Sequence, residues 1–245
     1  KNLAAQAEFD AKQETDSTRR AEMERLSKAC AQVVEKPART LYEAVNAIWI
    51  TWIGLHMESM NAGLSIGRLD QWLQPYFLAD MEKIDSRQDR AKYIRDAIEL
   101  IGHFYMRCTD HFPLTPDIAN FYFGGSSSDQ AITLGGVTPD GQDAVNDMTY
   151  IFLKVTEMLS LRDPNMNARF TPDINSDTYL KRLCEVNLIT AATPSMHNDN
   201  AVFAALSPMG YDLRDIRNWS ATGCVEPTLS GKHISHTNMQ MLNMV

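Results

Sequence analysis

The sequence predicts an α/β protein preceded by a helical region. Residues 1–110 carry apolar stripes of helical period, and from about residue 120 short β-prone runs alternate with further helical stripes. The 245 residues are 44% hydrophobic and 22% charged, enough for a sizeable core and outside the range of disordered chains.

Residues 1–35 are helical in composition, with Met23, Leu26, Cys30 and Val33 forming one apolar stripe on a charged rod that Pro37 ends. Thr40 and Glu43 have the spacing of a capping box, and Leu41, Ala44, Val45, Ile48, Trp52 and Leu55 run down one face of the next helix. Asn61 to Gly67 (NAGLSIG) breaks the pattern, and Arg68 to Asp80 resumes it around Pro75. A long helix is expected from about Arg87 to Cys108, with Ile94, Ala97, Ile98, Ile101 and Phe104 as its stripe. Phe121 to Phe123 and Ala131 to Leu134 read as strands, separated by Gly124-Gly-Ser-Ser-Ser and closed by Gly135-Gly136 and Pro139-Asp-Gly. Val145, Met148, Phe152, Val155 and Leu159 mark a helix, Asn167 to Phe170 a strand, and Tyr179 to Leu188 a helix.

A net charge of −8 without a run of Lys or Arg argues against a nucleic-acid or anionic-membrane surface, and a small-molecule partner fits better. No stretch of about 18 apolar residues occurs and the start is polar, so the chain reads as cytoplasmic. Cys30, Cys108, Cys184 and Cys224 lie far apart, which fits neither a disulfide framework nor a zinc finger. The first residue is not Met and the last five end inside an apolar run, so a piece of a longer chain is expected.

The segment richest in chemistry is Ser220-Ala-Thr-Gly-Cys-Val-Glu-Pro-Thr, beyond a helix containing Leu213, Ile216 and Trp219. In an extended loop Cys224 and Glu226 would share one face, their Cα atoms roughly 6.5 Å apart, and Val225 would anchor the other. A carboxylate beside a thiol disfavours the thiolate, so a hydrolase-type nucleophile is a poor fit. The pair suits a neutral S–H that exchanges a hydrogen atom next to a carboxylate that moves a proton. The plain alternative is a buried Cys beside an exposed Glu.

Gly-Cys-Val-Glu-Pro at 223–227 resembles the cysteine finger loop of glycyl radical enzymes of the pyruvate formate-lyase-like superfamily. Gly67-Arg68-Leu-Asp70-Gln71 with Pro75-Tyr76, the upstream Glu43-Ala44, Gly135-Gly136, Asp140-Gly141, Asn146, Arg169 and Asn198-Asp199 follow in the family's order. The resemblance implies that residues 1–245 are the central part of one such domain. Residues 1–110 would be mainly helical, and 111–245 would form part of a ten-stranded α/β barrel with a central finger loop. The family's C-terminal glycyl radical sequence is absent from these residues. The glycyl radical would therefore sit on a residue outside this chain, installed by an activating enzyme using S-adenosylmethionine and an iron–sulfur cluster. It would pass to Cys224, with Glu226 as the acid/base, and the assembly the resemblance implies is a homodimer.

Adjacent finger cysteines typify pyruvate formate-lyase itself, whereas Gly223 precedes Cys224 here, which points to the Cys-x-Glu branch of dehydratases, lyases and decarboxylases. Cleavage of a C–O, C–N or C–S bond of a small polar substrate leads; an arylacetate decarboxylase and a truncated non-catalytic homologue are the alternatives. By spacing within the family, Gln130, Thr237 and Asn238 fall near substrate-contacting positions, and His197 is a further candidate. Its segment 197–200 also reads as an Asx turn. Arg68 and Asp70 are expected to form an internal ion pair. His233-x-x-His236 lacks a third ligand, and neither a metal nor a bound cofactor is assigned to this segment. Gly124 to Ser128 lacks the Gly-Lys-Ser ending of a phosphate loop.

Overall fold

A computed structural model describes residues 1–58, 61–109, 130–233 and 236–238. The chain opens with a helical hairpin, α1 (Asn2–Gln13) and α2 (Ser17–Val33), in place of the single rod expected. The break falls at Asp16, whose carboxylate accepts the Arg19 N–H at 2.9 Å and starts the second helix. Ala4, Ala7 and Ala11 are buried along α1, and the Ser27 hydroxyl donates to the Ala4 carbonyl at 2.9 Å. Within the expected stripe Cys30 is buried while Leu26 is exposed.

Helix α3 (Leu41–Glu58) starts at the expected Thr40, whose hydroxyl accepts the Glu43 N–H at 3.2 Å. The Glu43 carboxylate closes the box one residue upstream, accepting the Arg39 N–H at 2.8 Å and its guanidinium at 2.6 Å. The segment read as a break is a strand, β1 (Asn61–Gly67), so the sheet begins inside the half assigned to helices. Helices α4 (Leu69–Met81, with Pro75 inside) and α5 (Arg87–Cys108) follow as expected, although Ile94 is exposed. The expected strand 121–123 and the glycine–serine run 124–128 lie outside the described residues.

Strand β2 (Ala131–Gly135), α6 (Asp147–Leu159), β3 (Asn165–Phe170), α7 (Asp177–Thr190), β4 (Ser195–Asn198) and α8 (Asp199–Leu206) then alternate. A short 3-10 turn leads to α9 (Leu213–Arg217), the hairpin β5 (Trp219–Thr222) and β6 (Glu226–Leu229), and β7 (His236–Asn238). Trp219 therefore belongs to a strand and not to the helix before it.

Strands β1 to β4 run parallel and β7 joins antiparallel to β1, giving the order β4-β3-β2-β1-β7. Parallel neighbours require crossovers, which α4 to α7 supply. Both faces of this sheet are covered, and the alternation along each strand sorts residues between two cores. Ile132, Leu134, Met166 and Ala168 face the helices, packing with Leu73, Ile101, Phe152 and Leu183. Ala131 faces the opposite way, into a smaller cluster with Ile216, Trp219, Ala221 and Leu229. The β5–β6 hairpin is thus seated on the face of the sheet opposite the described helices of the crossovers.

Candidate active site at a cysteine-bearing hairpin

Strands β5 and β6 pair from Trp219 opposite Leu229 to Thr222 opposite Glu226, leaving Gly223, Cys224 and Val225 as a three-residue turn. Gly223 sits at φ +55, where a side chain costs conformational energy. This turn replaces the extended loop expected. Val225 is consequently exposed instead of anchoring an opposite face. Cys224 is exposed at the tip, and Glu226 is exposed at the start of β6 with its Oε2 accepting the Val225 N–H at 2.9 Å.

Each parallel strand nearest the hairpin contributes a polar group to hold it. On β1, the Ser65 hydroxyl donates to the Ala221 carbonyl at 2.6 Å, and the Gly63 carbonyl accepts the Thr222 hydroxyl at 3.0 Å. On β2, Thr133 Oγ1 accepts the Ala221 N–H at 2.8 Å. On β3, Asn165 Nδ2 donates to the Gly223 carbonyl at 3.0 Å and also to the Cys224 carbonyl. Small residues at alternate positions of NAGLSIG leave room for this approach, which is why a true strand there resembles a loop in composition.

The base of the hairpin is held by two buried arginines. Arg169 makes a bidentate pair with Asp199, Nε to Oδ1 at 2.7 Å and Nη2 to Oδ2 at 2.8 Å, with both side chains fully buried. Its remaining donors reach the carbonyls of Trp219 at 3.0 Å and Arg217 at 2.8 Å, and the Trp219 indole N–H donates to Asp199 Oδ1 at 2.8 Å. Asp199 also accepts the Thr171 hydroxyl at 2.6 Å. The Asx hydrogen bond expected in this segment forms, Asn198 Oδ1 accepting the Asn200 N–H at 3.0 Å and capping α8, and the same strand-to-helix junction carries Asp199, the partner of Arg169.

Arg68 and Asp70 meet through a shared peptide instead of pairing directly. Arg68 Nη2 donates to the Gly135 carbonyl at 2.8 Å, and Asp70 Oδ2 accepts the Gly135 N–H at 2.7 Å. The Arg68 Nη1 then reaches Asn218 Oδ1 at 3.1 Å, just before the hairpin. Burial pushes the Asp70 carboxyl up and holds the Arg68 guanidinium down, to about 10. Gly135 has φ +65, and a Cβ there would lie 2.2 Å from the Tyr179 hydroxyl.

Of the other candidates, His197 is half-buried, with Nε2 2.7 Å from Asn167 Oδ1 and its ring edge-on to Trp219. Burial holds its imidazole below the usual range, Arg169 adds to that effect and Asp199 opposes it. Gln130 is fully buried, and its Nε2 donates to the Cys108 carbonyl at the end of α5, at 3.0 Å, toward the helical layer and away from the hairpin. Thr237 and Asn238 lie on β7 in register with Ala62 and Asn61 of β1, at the edge of the sheet next to the strand that holds the hairpin. His233 is engaged by the Tyr211 hydroxyl at 2.8 Å and the Leu229 N–H at 3.3 Å. Among the described residues no group of three or more His, Cys, Asp or Glu is arranged to hold a metal. No described helix is long and apolar enough to cross a membrane. A cleft of about 410 Å³ lies elsewhere, among α2, α3 and Asp80, lined by Glu24, Arg25, Lys28, Tyr42 and Glu43.

Local sequence does not reveal Ser65, Thr133 or Asn165 as hairpin contacts. The available sign is the polar alternation Asn165, Asn167, Arg169 along β3, set between Met166, Ala168 and Phe170.

The family model described as pyruvate formate lyase-like matches residues 1–245. The chain belongs to this family. Among pyruvate formate lyase-like relatives, the isethionate sulfite-lyase of Nitratidesulfovibrio vulgaris is 31% identical over 228 residues, 92% of this chain and 27% of that protein. The trans-4-hydroxy-L-proline dehydratase of Clostridioides difficile is 29% identical over 235 residues, 95% of this chain and 29% of that protein. The crystal structure of a glycyl radical enzyme from Archaeoglobus fulgidus superposes with a TM-score of 0.80 at 31% identity, covering 94% of this chain and 29% of that one. The chain thus spans less than a third of the length of these relatives.

Proposed function

We propose that this chain is the catalytic-cysteine portion of a glycyl radical lyase or dehydratase acting on a small polar substrate, with Cys224 as the radical-bearing thiol and Glu226 as its acid/base. The observation that carries the reading is the hairpin: a thiol at the tip of a three-residue turn, pinned from three strands, with a carboxylate folded over the same turn. In the whole protein the five-stranded sheet would be part of a closed ten-stranded barrel around this hairpin, which would exclude water and oxygen from a radical. The glycyl radical, on a residue outside this chain, supplies the unpaired electron at the Cys224 sulfur after installation by an S-adenosylmethionine-dependent iron–sulfur activating enzyme. A homodimeric assembly accompanies this reading.

The chain's own residues act in sequence. The Cys224 sulfur takes a hydrogen atom from a hydroxyl-bearing substrate carbon, so an S–H bond forms as the C–H bond breaks. Glu226 accepts the hydroxyl proton. The electron pair of the adjacent C–O, C–N or C–S bond leaves with the heteroatom, which takes the proton back from Glu226, a carbonyl forms, and the unpaired electron moves to the neighbouring carbon. That carbon then takes a hydrogen atom back from the Cys224 S–H, restoring the sulfur radical for another turnover. A neutral thiol is the form that exchanges a hydrogen atom.

The test uses the full-length polypeptide, activated without oxygen and assayed with isethionate, trans-4-hydroxy-L-proline, 1,2-propanediol and 4-hydroxyphenylacetate. Cys224→Ala is expected to abolish turnover while the glycyl radical signal in electron paramagnetic resonance stays intact, and Glu226→Gln to suppress elimination. Turnover surviving Cys224→Ala would sink the assignment, and decarboxylation of the arylacetate alone would move the reaction class.

A further inference from the structure

A radical-bearing sulfur must be held at one place, and a contact to its backbone comes from a side chain that no motif singles out. Asn165 opens β3, and its Nδ2 donates to the carbonyls of both Gly223 and Cys224. Those carbonyls belong to the two peptide planes on either side of the Cys224 Cα. Peptide units are rigid, so the orientations of these two planes set φ and ψ of Cys224 and with them the direction of its Cα–Cβ bond. Only the χ1 rotamer of the thiol then remains to be chosen.

Asn165 is itself braced. Its N–H donates to the Gln130 carbonyl at 2.8 Å, and its carbonyl accepts Asn167 Nδ2 at 3.3 Å. Asn167 is fully buried and its Oδ1 lies 2.7 Å from His197 Nε2. Two residues further along the same face, Arg169 holds the base of the hairpin. One strand face thus grips the hairpin at tip and base.

We propose that Asn165 is a positioning residue for the Cys224 thiol, a role that rests on the function proposed above. Asn165→Asp keeps the shape and presents a carboxylate where the two carbonyls need a donor, and Asn165→Ala removes the group. In the full-length, anaerobically activated protein, with whichever substrate of the panel is turned over, both variants are expected to retain the parent's glycyl radical content. The KM should stay within about twofold and kcat should fall about tenfold to a hundredfold, because the thiol is misplaced after binding. A kcat within about twofold of the parent overturns the proposal, as does a fall in kcat that merely tracks lost radical content.

A second readout needs no substrate. Alkylation of Cys224 by iodoacetamide in the unactivated protein, followed by mass spectrometry, is expected to speed up at least about threefold in Asn165→Ala as the turn loses its restraint. An unchanged rate overturns the proposal. Cys224→Ala separates the two readings: turnover persisting there removes the radical assignment itself, whereas an inactive Cys224→Ala beside a fully active Asn165→Asp removes the positioning role alone.

Discussion

Replacing Asp199 with Asn tests whether the hairpin is anchored through its base. The Asp199 carboxylate accepts Arg169 through both oxygens, the Trp219 indole N–H through Oδ1 and the Thr171 hydroxyl through Oδ2. The amide that replaces it has nearly the same shape but is neutral, and its NH2 group would be a donor facing donors. Arg169, fully buried, would then keep its charge against one amide oxygen and the Trp219 and Arg217 carbonyls, with no carboxylate to balance it. Breaking such a pair by removing one partner costs about 3–5 kcal/mol, a large part of the roughly 5–15 kcal/mol that holds a typical domain. Urea unfolding followed by tryptophan fluorescence measures this, and Trp219 reports from within the cluster. Asp96→Asn provides the control, since its pair with Lys92 is solvent-exposed and such pairs contribute less than about 1 kcal/mol. If Asp199→Asn unfolds within about 1 kcal/mol of the parent, the buried pair does not anchor the hairpin and the account of its base is wrong.

Gly223→Ala is expected to cost about 1 kcal/mol of stability from the positive φ, while lowering turnover about tenfold, because its Cβ would lie 2.9 Å from Glu226 Oε2 and push the carboxylate off the Val225 N–H. Thermal melting and steady-state rates measure the two effects; unchanged turnover would mean that Glu226 does not need this placement. His197 titrates below its ordinary 6.5 because it is buried, so the unfolded chain takes up its proton first as the pH falls. The stability His197 contributes is present above about pH 6.5 and lost as the pH drops through its lower folded value; His197→Gln should therefore flatten the decline in urea midpoint over this range, and an unaltered decline would assign it to other groups.

The helices are legible because their signals are local. The apolar stripe and flanking residues of Arg87–Cys108 mark α5 at both ends, and Ala131 to Leu134 announces β2. The turn at Pro139-Asp-Gly also forms as expected, with the Gly141 N–H donating to the Thr138 carbonyl at 2.9 Å. The first strand is not legible, because Gly63, Ser65 and Gly67 carry the composition of a loop, and they are small since the hairpin packs against that face. The first helical segment reads as one rod because no Gly or Pro interrupts residues 1–35, yet the capping carboxylate of Asp16 divides it.

Of the candidate site, the residue types and their order are legible and the arrangement is not. Cys224 and Glu226 stand out as chemistry-bearing neighbours, but an alternation argument puts Val225 inside, whereas the left-handed turn at Gly223 puts it out. Arg68 and Asp70 attract each other on paper, yet each takes a different end of the Gly135 peptide.

By itself the sequence determined which segments can be helix or strand, where charge is scarce enough for a core, and that a thiol and a carboxylate stand two residues apart beside a glycine. Those properties follow from backbone sterics and side-chain periodicity over a few residues. Only the tertiary structure decided that Asn165 meets the Cys224 backbone, that Thr222 meets Gly63, and that Asp199 closes on Arg169. Such contacts join groups separated by dozens of residues or more, and their geometry depends on how parallel strands stack in register, which no local window of sequence encodes.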